Sequence, residues 1–492
     1  MRLHLLAAAT ALTLALAACA SSGGLHPDGT PIDPSSLKTG QSLAGVNLSP
    51  AAWPAGDWWS GLGDSQLDQL ISEALRDNPG LAVADARSRT AQAQVGAADA
   101  ARGPTVNAGG AYSGALLPAT VLAPDAGGGH FMQAKYGYLS FKWGLDLWGG
   151  KRAAWEAALG QSRAAEIDAR AARIELSGNV ARAYVQLGYA YAQQDVANAE
   201  HERAAKARGL TAQRVSAGID SQLQIKQNDS EVAGAEKDQA MAQRAIDAAQ
   251  SALSVLLGKG PDRGLQITRP QVLKPAALAV PENLSVDLIG HRADLVAARW
   301  RVEAGAKSIK AAKTEFLPNL SIGAFAGLIA TGGNNLFELP ARFYQFGPSL
   351  SLPIFDGGRL RSNLAGKDAE YDMAVAQYNQ TLVGAVDQVA DELSGLNSLS
   401  AQIAAQQREL DAASQAWQLA QQRYQAGIGS YLESLSMRQQ VLSAEAGMAA
   451  LQAQQVDLSV QLIQALGGGY HPENLPPTAA AAPSPSPTPS RS

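Results

Sequence analysis

Side chains that commonly carry out chemistry are sparse in this sequence and form no catalytic pattern. The six histidines show neither metal-ligand spacing nor a nearby nucleophile motif. They are His4, His26, His130, His201, His291 and His471. Gly258-Lys259-Gly260 lacks the preceding glycine and the following serine or threonine of a phosphate-binding loop, so we interpret it as a helix end followed by a turn. We therefore expect no enzymatic activity, no metal site and no cofactor.

Cys19 is the residue best suited to covalent modification. It is the only cysteine, and a lone thiol cannot form an intramolecular disulfide. The apolar run 5–17 before it is too short to span a bilayer and is typical of a secretion signal. Because small residues precede the cysteine, as in a bacterial lipobox, we predict a lipoprotein signal peptide at 1–18 and a lipid on Cys19. The alternative is an ordinary cleaved signal with an incidental cysteine.

The composition favours long helices over a compact enzyme. The chain is rich in alanine and glutamine, and aromatic residues make up only 6%. A net charge of −5 gives no support to a nucleic-acid partner. Segment 19–52 is predicted to be a lipidated tether and 471–492 a Pro/Ala/Ser/Thr tail, both poorly ordered. No later stretch reaches the roughly 18 apolar residues of a membrane helix, so a second anchor must take another form.

The sequence contains a duplication of about two hundred residues. Gly149-Gly150-Lys151 recurs 208 residues later as Gly357-Gly358-Arg359, and Ala217-Gly218-Ile219 recurs 209 residues later as Ala426-Gly427-Ile428. Landmarks at this nearly constant offset predict two structurally equivalent repeats. We place them at 53–260 and 284–470, joined by a linker at 261–283.

Each repeat shows the same order of predicted elements. Helical stretches, 65–102 and 284–316, are followed by short runs that alternate apolar and polar residues on either side of a Gly-rich loop, which indicates strands. These runs have about ten residues, the length of a tilted membrane strand. Proline-free helical stretches then run from 151 to 260 and from 359 to 470, each with one glycine-containing break.

Four strands per chain cannot close a membrane barrel, because open edges leave backbone groups unsatisfied in hydrocarbon. Three copies would supply twelve strands. We therefore predict a mixed α and β fold: a trimeric 12-stranded membrane β-barrel, four strands per chain, continuous with a long periplasmic α-helical barrel and built from an internal two-fold repeat.

Three motifs carry a resemblance to a known family. Near the start, the matching residues are Leu67, Leu70, Ile71, Ala74, Leu75, Asn78 and Pro79. Residues 352–359 read Leu-Pro-Ile-Phe-Asp-Gly-Gly-Arg, and 423–433 read Arg-Tyr-Gln-Ala-Gly-Ile-Gly-Ser-Tyr-Leu-Glu. From about residue 53 to 469 the chain resembles the TolC-like outer-membrane factors, in particular the lipidated, NodT-type branch that serves resistance-nodulation-division efflux pumps.

The resemblance implies a passive exit duct for small molecules such as drugs, recruited by a periplasmic adaptor protein. Its implied partners are two further copies of the chain, that adaptor, an inner-membrane efflux transporter and outer-membrane lipid. Ala20 after the cysteine is typical of lipoproteins sent to the outer membrane, so the chain is expected there, lipid-anchored and extending into the periplasm. A duct for type I protein secretion and a structural coiled-coil lipoprotein remain the alternatives.

The resemblance also implies where the working residues lie. The hairpin tips are expected to contact the adaptor through Arg214, Gly218, Asp220, Arg423, Gly427 and Gly429. Leu432, its repeat equivalent Leu223, Ser436 and Glu433 are expected at the periplasmic gate. The family usually has aspartate where this chain has Ser436, so we expect closure to depend on apolar contact at Leu432 more than on charge.

Overall fold

The computed structural model describes residues 24–38, 41, 53–116, 118–121, 123–126, 129–271, 273–275, 284–332 and 334–471. The predicted signal peptide, Cys19 and the tail beyond His471 lie outside the described residues. The chain divides into two compact units. The first comprises Met1–Pro31, Ala86–Glu166 and Ala297–Asn379, and the second Ile32–Asp85, Ile167–Val296 and Gln380–Ser492.

The two halves of the described chain contain the same elements in the same order. The first half has α1 (Ser65–Asp77), α2 (Pro79–Ala100), β1 (Thr105–Leu116), β2 (Phe131–Gly144), α3 (Gly150–Ser216) and α4 (Gln222–Leu256). The second has α5 (Leu284–His291), α6 (Ala293–Thr314), β3 (Asn319–Thr331), β4 (Arg342–Ser351), α7 (Arg359–Gln425) and α8 (Tyr431–Ala465). Both long helices have 67 residues and both return helices have 35, so the predicted internal repeat is confirmed.

Among the described residues, no helix combines the length and the apolar character needed to cross a lipid bilayer.

The first unit contains an antiparallel sheet in the order β1-β2-β3-β4. In the pair of β1 and β2, the register runs from Thr105 opposite Lys142 to Leu116 opposite Phe131. The pairs β2–β3 and β3–β4 also have uninterrupted antiparallel registers. Several large apolar side chains of the sheet are exposed in the single chain. Tyr344 and Phe346, for example, are each 81% exposed. The outer strands β1 and β4 each have only one neighbour, so both sheet edges are open within the chain.

The predicted helix 65–102 is wrong in one respect, because it is two helices. Asn78 has an extended backbone, with ψ 122°, and Pro79 begins the next helix. The residue before a proline avoids helical conformation, which ends α1. The Asn78 side chain accepts from the Gly80 N–H at 2.7 Å and donates to the Leu256 carbonyl at 2.8 Å, so the break is tied to α4. The stretch 284–316 divides similarly at Arg292.

The predicted poor order of the tether is wrong for residues 24–38, which have a defined course. The Gly29 N–H donates to the Asp372 carboxylate at 2.7 Å, and Asn379 donates its amide to the Thr30 carbonyl at 3.0 Å. A Cβ on Gly29 would lie 2.9 Å from Asp372 Oδ1 and 3.1 Å from its Cα. Only glycine therefore allows this segment to lie so close to α7.

Leu25 fixes the start of the same segment in an apolar cluster of the first unit. The cluster consists of Ile309, Ala312, Phe316, Leu360 and Leu364, with Tyr371 beside it. Composition alone did not indicate this packing, because a Gly/Pro-rich segment is as compatible with a docked extended strand as with disorder.

The main core of the second unit lies where α1 packs against α3 and α4. Its fully buried side chains include Leu67, Leu70, Ile71, Tyr184, Leu187, Leu253 and Leu257. At its edge the buried Asp64 carboxylate accepts from the Gln66 N–H, the Tyr184 hydroxyl and the Gln271 N–H at 2.9, 2.7 and 3.0 Å. Burial raises the pKa of Tyr184, so its hydroxyl stays a donor.

Candidate functional site at the hairpin turns

Two equivalent glycine turns end the long helices of the second unit. Gly218 and Gly427 have φ of 74° and 76°, a left-handed conformation that glycine adopts without strain. The following residues, Ile219 and Ile428, donate their N–H to the carbonyls of Arg214 and Arg423 at 2.9 and 3.0 Å. This is the glycine helix-ending motif, so the predicted breaks in both repeats are confirmed.

An ion pair stabilises the first turn. Arg214 donates from Nε and Nη2 to the Asp220 carboxylate at 2.7 and 3.0 Å. This bond holds the pKa of Asp220 below its ordinary value of 3.8, so the carboxylate stays ionised at neutral pH. Ser221 and Gln224 then form a capping box that starts α4, with the Ser221 N–H donating to Gln224 Oε1 at 2.7 Å.

The second turn lacks this ion pair. Gly429 occupies the position equivalent to Asp220, and a Cβ there would lie 2.9 Å from the Cβ of Arg423. Arg423 is exposed and forms no salt bridge within the described part of the chain. The turn is held by Tyr424 and Tyr431, whose ring centroids are 5.0 Å apart. A free guanidinium therefore faces solvent at this turn.

Exposed apolar side chains mark both turns. Ile219 and Ile428 are 63% and 72% exposed, and Leu223 is 67% exposed. The two isoleucines are not among the residues predicted to contact the adaptor, although they belong to the duplicated Ala-Gly-Ile landmarks. Exposed apolar side chains that lie close together in sequence at a turn, such as Ile219 and Leu223, are typical of a contact surface.

The four residues predicted at the gate lie around the starts of α4 and α8 but differ in exposure. Leu432 is half-buried, whereas its equivalent Leu223 is exposed. Glu433 and Ser436 are both exposed. Leu435, which was not predicted, is buried, with 7% of its surface exposed.

The two hairpin shafts are held by different interactions. In the first, Arg203 is 6% exposed and pairs with Glu200 at 2.7 Å and with Glu231 of α4 at 3.3 Å. In the second, the Arg438 guanidinium lies 4.8 Å from the ring centroid of Trp417 on α7. The first hairpin thus has an ion pair between α3 and α4 at the buried Arg203. The second has a cation–π contact between α7 and α8, together with a hydrogen bond from the Gln406 amide to the Ala444 carbonyl at 3.2 Å.

Within the described ranges, no group of three or more His, Cys, Asp or Glu side chains could hold a metal ion.

The sequence matches the family model for outer membrane efflux proteins over residues 70–259 and 284–468. One matched stretch falls in each half of the duplication. The chain therefore belongs to the outer membrane efflux protein family.

Relatives with descriptive names support the same assignment. Over 434 residues the chain is 32% identical to the multidrug resistance outer membrane protein MdtP of Escherichia coli (strain K12), covering 86% of this chain and 88% of that protein. It is 36% identical over 373 residues to the fusaric acid resistance protein FusA of Burkholderia cepacia, covering 74% and 69%. Among solved structures, the outer membrane protein VceC from Vibrio cholerae aligns with a TM-score of 0.78 at 34% identity, covering 85% of this chain and 100% of that one.

Proposed function

We propose that three copies of this chain form an outer-membrane exit duct through which a tripartite pump expels small molecules. The observation that carries the proposal is the four-stranded sheet with two open edges and uncovered apolar side chains. Pairing β4 of one copy with β1 of the next would satisfy both edges, and three copies would close a twelve-stranded barrel.

Substrate class is inferred from relatives. MdtP is named for multidrug resistance and FusA for fusaric acid resistance, so small organic toxins are the proposed cargo. The duct contributes no chemistry to this cargo and acts as a passive conduit. Protein export by a type I system is the second candidate, and the sequence similarity to resistance proteins favours small molecules over it.

The hairpin turns are the proposed contact surface for a periplasmic adaptor, which in turn recruits the inner-membrane transporter. Ile219, Ile428 and Leu223 supply exposed apolar area, and Arg423 supplies an unpaired charge. An adaptor with an apolar loop and a nearby carboxylate would be complementary to this surface.

The proposed lipid on Cys19 would anchor each copy to the outer membrane. Leu25 lies six residues downstream, packed against Phe316 and Leu360 close to the ends of the strands. Six extended residues span at most about 20 Å, so a lipid on Cys19 would enter the bilayer near this end of the sheet.

The test measures assembly and transport together. The detergent-corrected mass of the purified protein should correspond to a trimer, and the trimer should form channels in planar bilayers. Cells lacking their own outer-membrane efflux proteins should regain drug resistance when this chain is expressed with its pump. A monodisperse monomer with intact strands would exclude the duct, and restored protein secretion without drug resistance would favour type I export.

A further inference from the structure

A cavity of about 540 Å³ lies in the first unit, at the end of the sheet where β2 ends, β3 begins and β4 ends. Its apolar wall includes Leu145, Leu147, Trp148, Leu317 and Pro318, and its charged residues are Lys151, Arg359, Asp146 and Glu315. A volume of this size accommodates a small ligand or a lipid headgroup. None of the residues of the hairpin turns contributes to it.

The two cations come from the duplication itself. Lys151 follows Gly149-Gly150 and Arg359 follows Gly357-Gly358, so they are repeat-equivalent residues that meet at one cavity. Glycine is required in the first of these turns, because a Cβ on Gly150 would lie 1.9 Å from Thr314 Oγ1 on α6. The close approach of this turn to α6 places Lys151 at the cavity.

Both cations keep unused donors. The Lys151 ammonium donates one hydrogen bond, to the Gly144 carbonyl at 2.8 Å, and two of its hydrogens remain. Arg359 is exposed and forms no salt bridge or side-chain hydrogen bond within the described residues, so its five guanidinium N–H groups are available, although its charge lies close enough to Asp356 to help lower the pKa of that carboxyl. Two free cationic donors at one cavity match the acceptor oxygens of a phosphate.

The two acids at the cavity are used differently. Asp146 accepts the backbone N–H groups of Lys151 and Arg152 at 3.0 and 2.8 Å and so caps α3. Glu315 is exposed and accepts from the Asn363 amide at 3.3 Å, which leaves its other oxygen free. The cavity thus offers a carboxylate for an ammonium beside the two cations for a phosphate.

The residues around the cavity indicate that the phosphate and the ammonium belong to a lipid. Leu147, Trp148, Ile354 and Phe355 beside the cavity are 56%, 49%, 79% and 92% exposed. The indole N–H of Trp148 donates to the Pro318 carbonyl at 2.7 Å, which orients its ring. Tryptophan with exposed apolar side chains at the end of membrane strands is typical of the bilayer interface.

We propose that this cavity binds the headgroup of a zwitterionic phospholipid, with Lys151 and Arg359 on the phosphate and Glu315 on a primary ammonium. Phosphatidylethanolamine has this chemistry. The proposal rests on the proposed insertion of the sheet into the outer membrane. Its occupant is a lipid of the periplasmic leaflet, since the cavity lies at the helical end of the strands.

The experiment uses the full-length trimer, delipidated in detergent and titrated with phosphatidylethanolamine, phosphatidylglycerol or inorganic phosphate, with bound ligand counted by native mass spectrometry. The parent protein should bind about one phosphatidylethanolamine per chain in this titration. The double variant Lys151→Gln/Arg359→Gln should bind it about tenfold or more weakly, since each lost charge-assisted bond lowers affinity severalfold. Glu315→Gln should remove the preference for phosphatidylethanolamine over phosphatidylglycerol.

Arg152→Gln is the matched control, because Arg152 is adjacent to Lys151 but pairs with Glu156 and does not line the cavity. Equal lipid retention by the parent and the double variant would overturn the proposal. So would binding of inorganic phosphate as tightly as lipid, or lipid binding only after Cys19→Ser, which would mean that the chain's own anchor fills the cavity. Trimer mass and conductance, measured on the same samples, report separately on the proposed duct.

Discussion

The guanidinium of Arg438 lies over the indole ring of Trp417, 4.8 Å from its centroid, and joins α8 to α7 in the second hairpin. Arg438 also donates to Glu445 on its own helix at 3.3 Å. The first hairpin instead contains the buried Arg203 cluster. The two hairpins are therefore joined by different side-chain contacts, and the contact between Arg438 and Trp417 can be removed by a single substitution.

Arg438→Gln should loosen the second hairpin, because a cation–π contact contributes roughly 0.5 to 2 kcal/mol. We expect higher single-channel conductance of the purified variant in planar bilayers. Arg408→Gln is the control, since Arg408 is exposed on α7 and has no salt bridge within the described residues. Equal conductance of the Arg438 variant and the parent would show that this contact does not restrain the hairpin.

Leu432→Ala should open the resting duct more than Glu433→Gln. Burying a leucine contributes roughly 1.5 to 3 kcal/mol. Three carboxylates about 8 Å apart in water would repel by only about 0.5 kcal/mol per pair. Conductance without adaptor measures both variants. An open Glu433→Gln channel beside a closed Leu432→Ala channel would replace the apolar gate with a carboxylate ring.

Asp220→Asn should release the first turn by removing the acceptor of Arg214. Hydrogen exchange of residues 214–224 should then become a few-fold faster, as expected for a partly exposed ion pair. Because the pKa of Asp220 is lowered, the pair is present above the ordinary value of 3.8 and is lost only as pH falls through the lowered value. The parent should thus exchange alike at pH 5 and pH 8 after correction for intrinsic rates, and Asp238→Asn should leave this segment unchanged.

Glu392→Gln should stabilise the protein at neutral pH. Burial raises the pKa of Glu392, with Asp391 and Asp457 adding to the shift and Arg182 opposing it. A raised carboxyl pKa favours the neutral form, so folding stability falls as pH rises from the ordinary value of 4.5 through the raised one. The variant should melt above the parent at pH 8 and equally with it at pH 4. Glu409→Gln, on the exposed face of α7, should show no such pH-dependent gain.

Cys19→Ser should abolish labelling by a fatty-acid analogue in growing cells. Trimer formation should persist, since one lipid contributes limited anchoring beside a membrane-embedded sheet. Undiminished label in the variant would show that the lipid is not attached to Cys19.

The sequence predicted those features that depend on local backbone chemistry. Gly218 and Gly427 were recognisable because each interrupts a long helical pattern where left-handed backbone is needed. The sequence predicts two strands in the first repeat but does not locate the residues of β1, because Gly109, Gly110 and neighbouring alanines give little apolar alternation. The single helix predicted over 65–102 misses the break at Asn78, although a following proline is a known helix boundary.

Long-range side-chain pairings were beyond sequence reasoning. The contact of Gly29 with Asp372 joins residues 343 positions apart, and no local pattern predicts it. The convergence of Lys151 and Arg359 on one cavity follows from the way the two repeats pack, although the duplication itself was visible. The pairing of Arg214 with Asp220 depends on a turn geometry that brings the two side chains together.

The two turns of each chain differ in charge, because Asp220 in the first corresponds to Gly429 in the second. In the proposed trimer the periplasmic mouth has six hairpin turns, which the duplicated backbone makes geometrically alike. Three of them carry a neutralised ion pair and three carry a free guanidinium, in alternation. The backbone of this opening therefore has nearly sixfold rotational symmetry, whereas its charge distribution has only threefold symmetry. A ring of six identical adaptor subunits would have to bind it through two distinct sets of contacts.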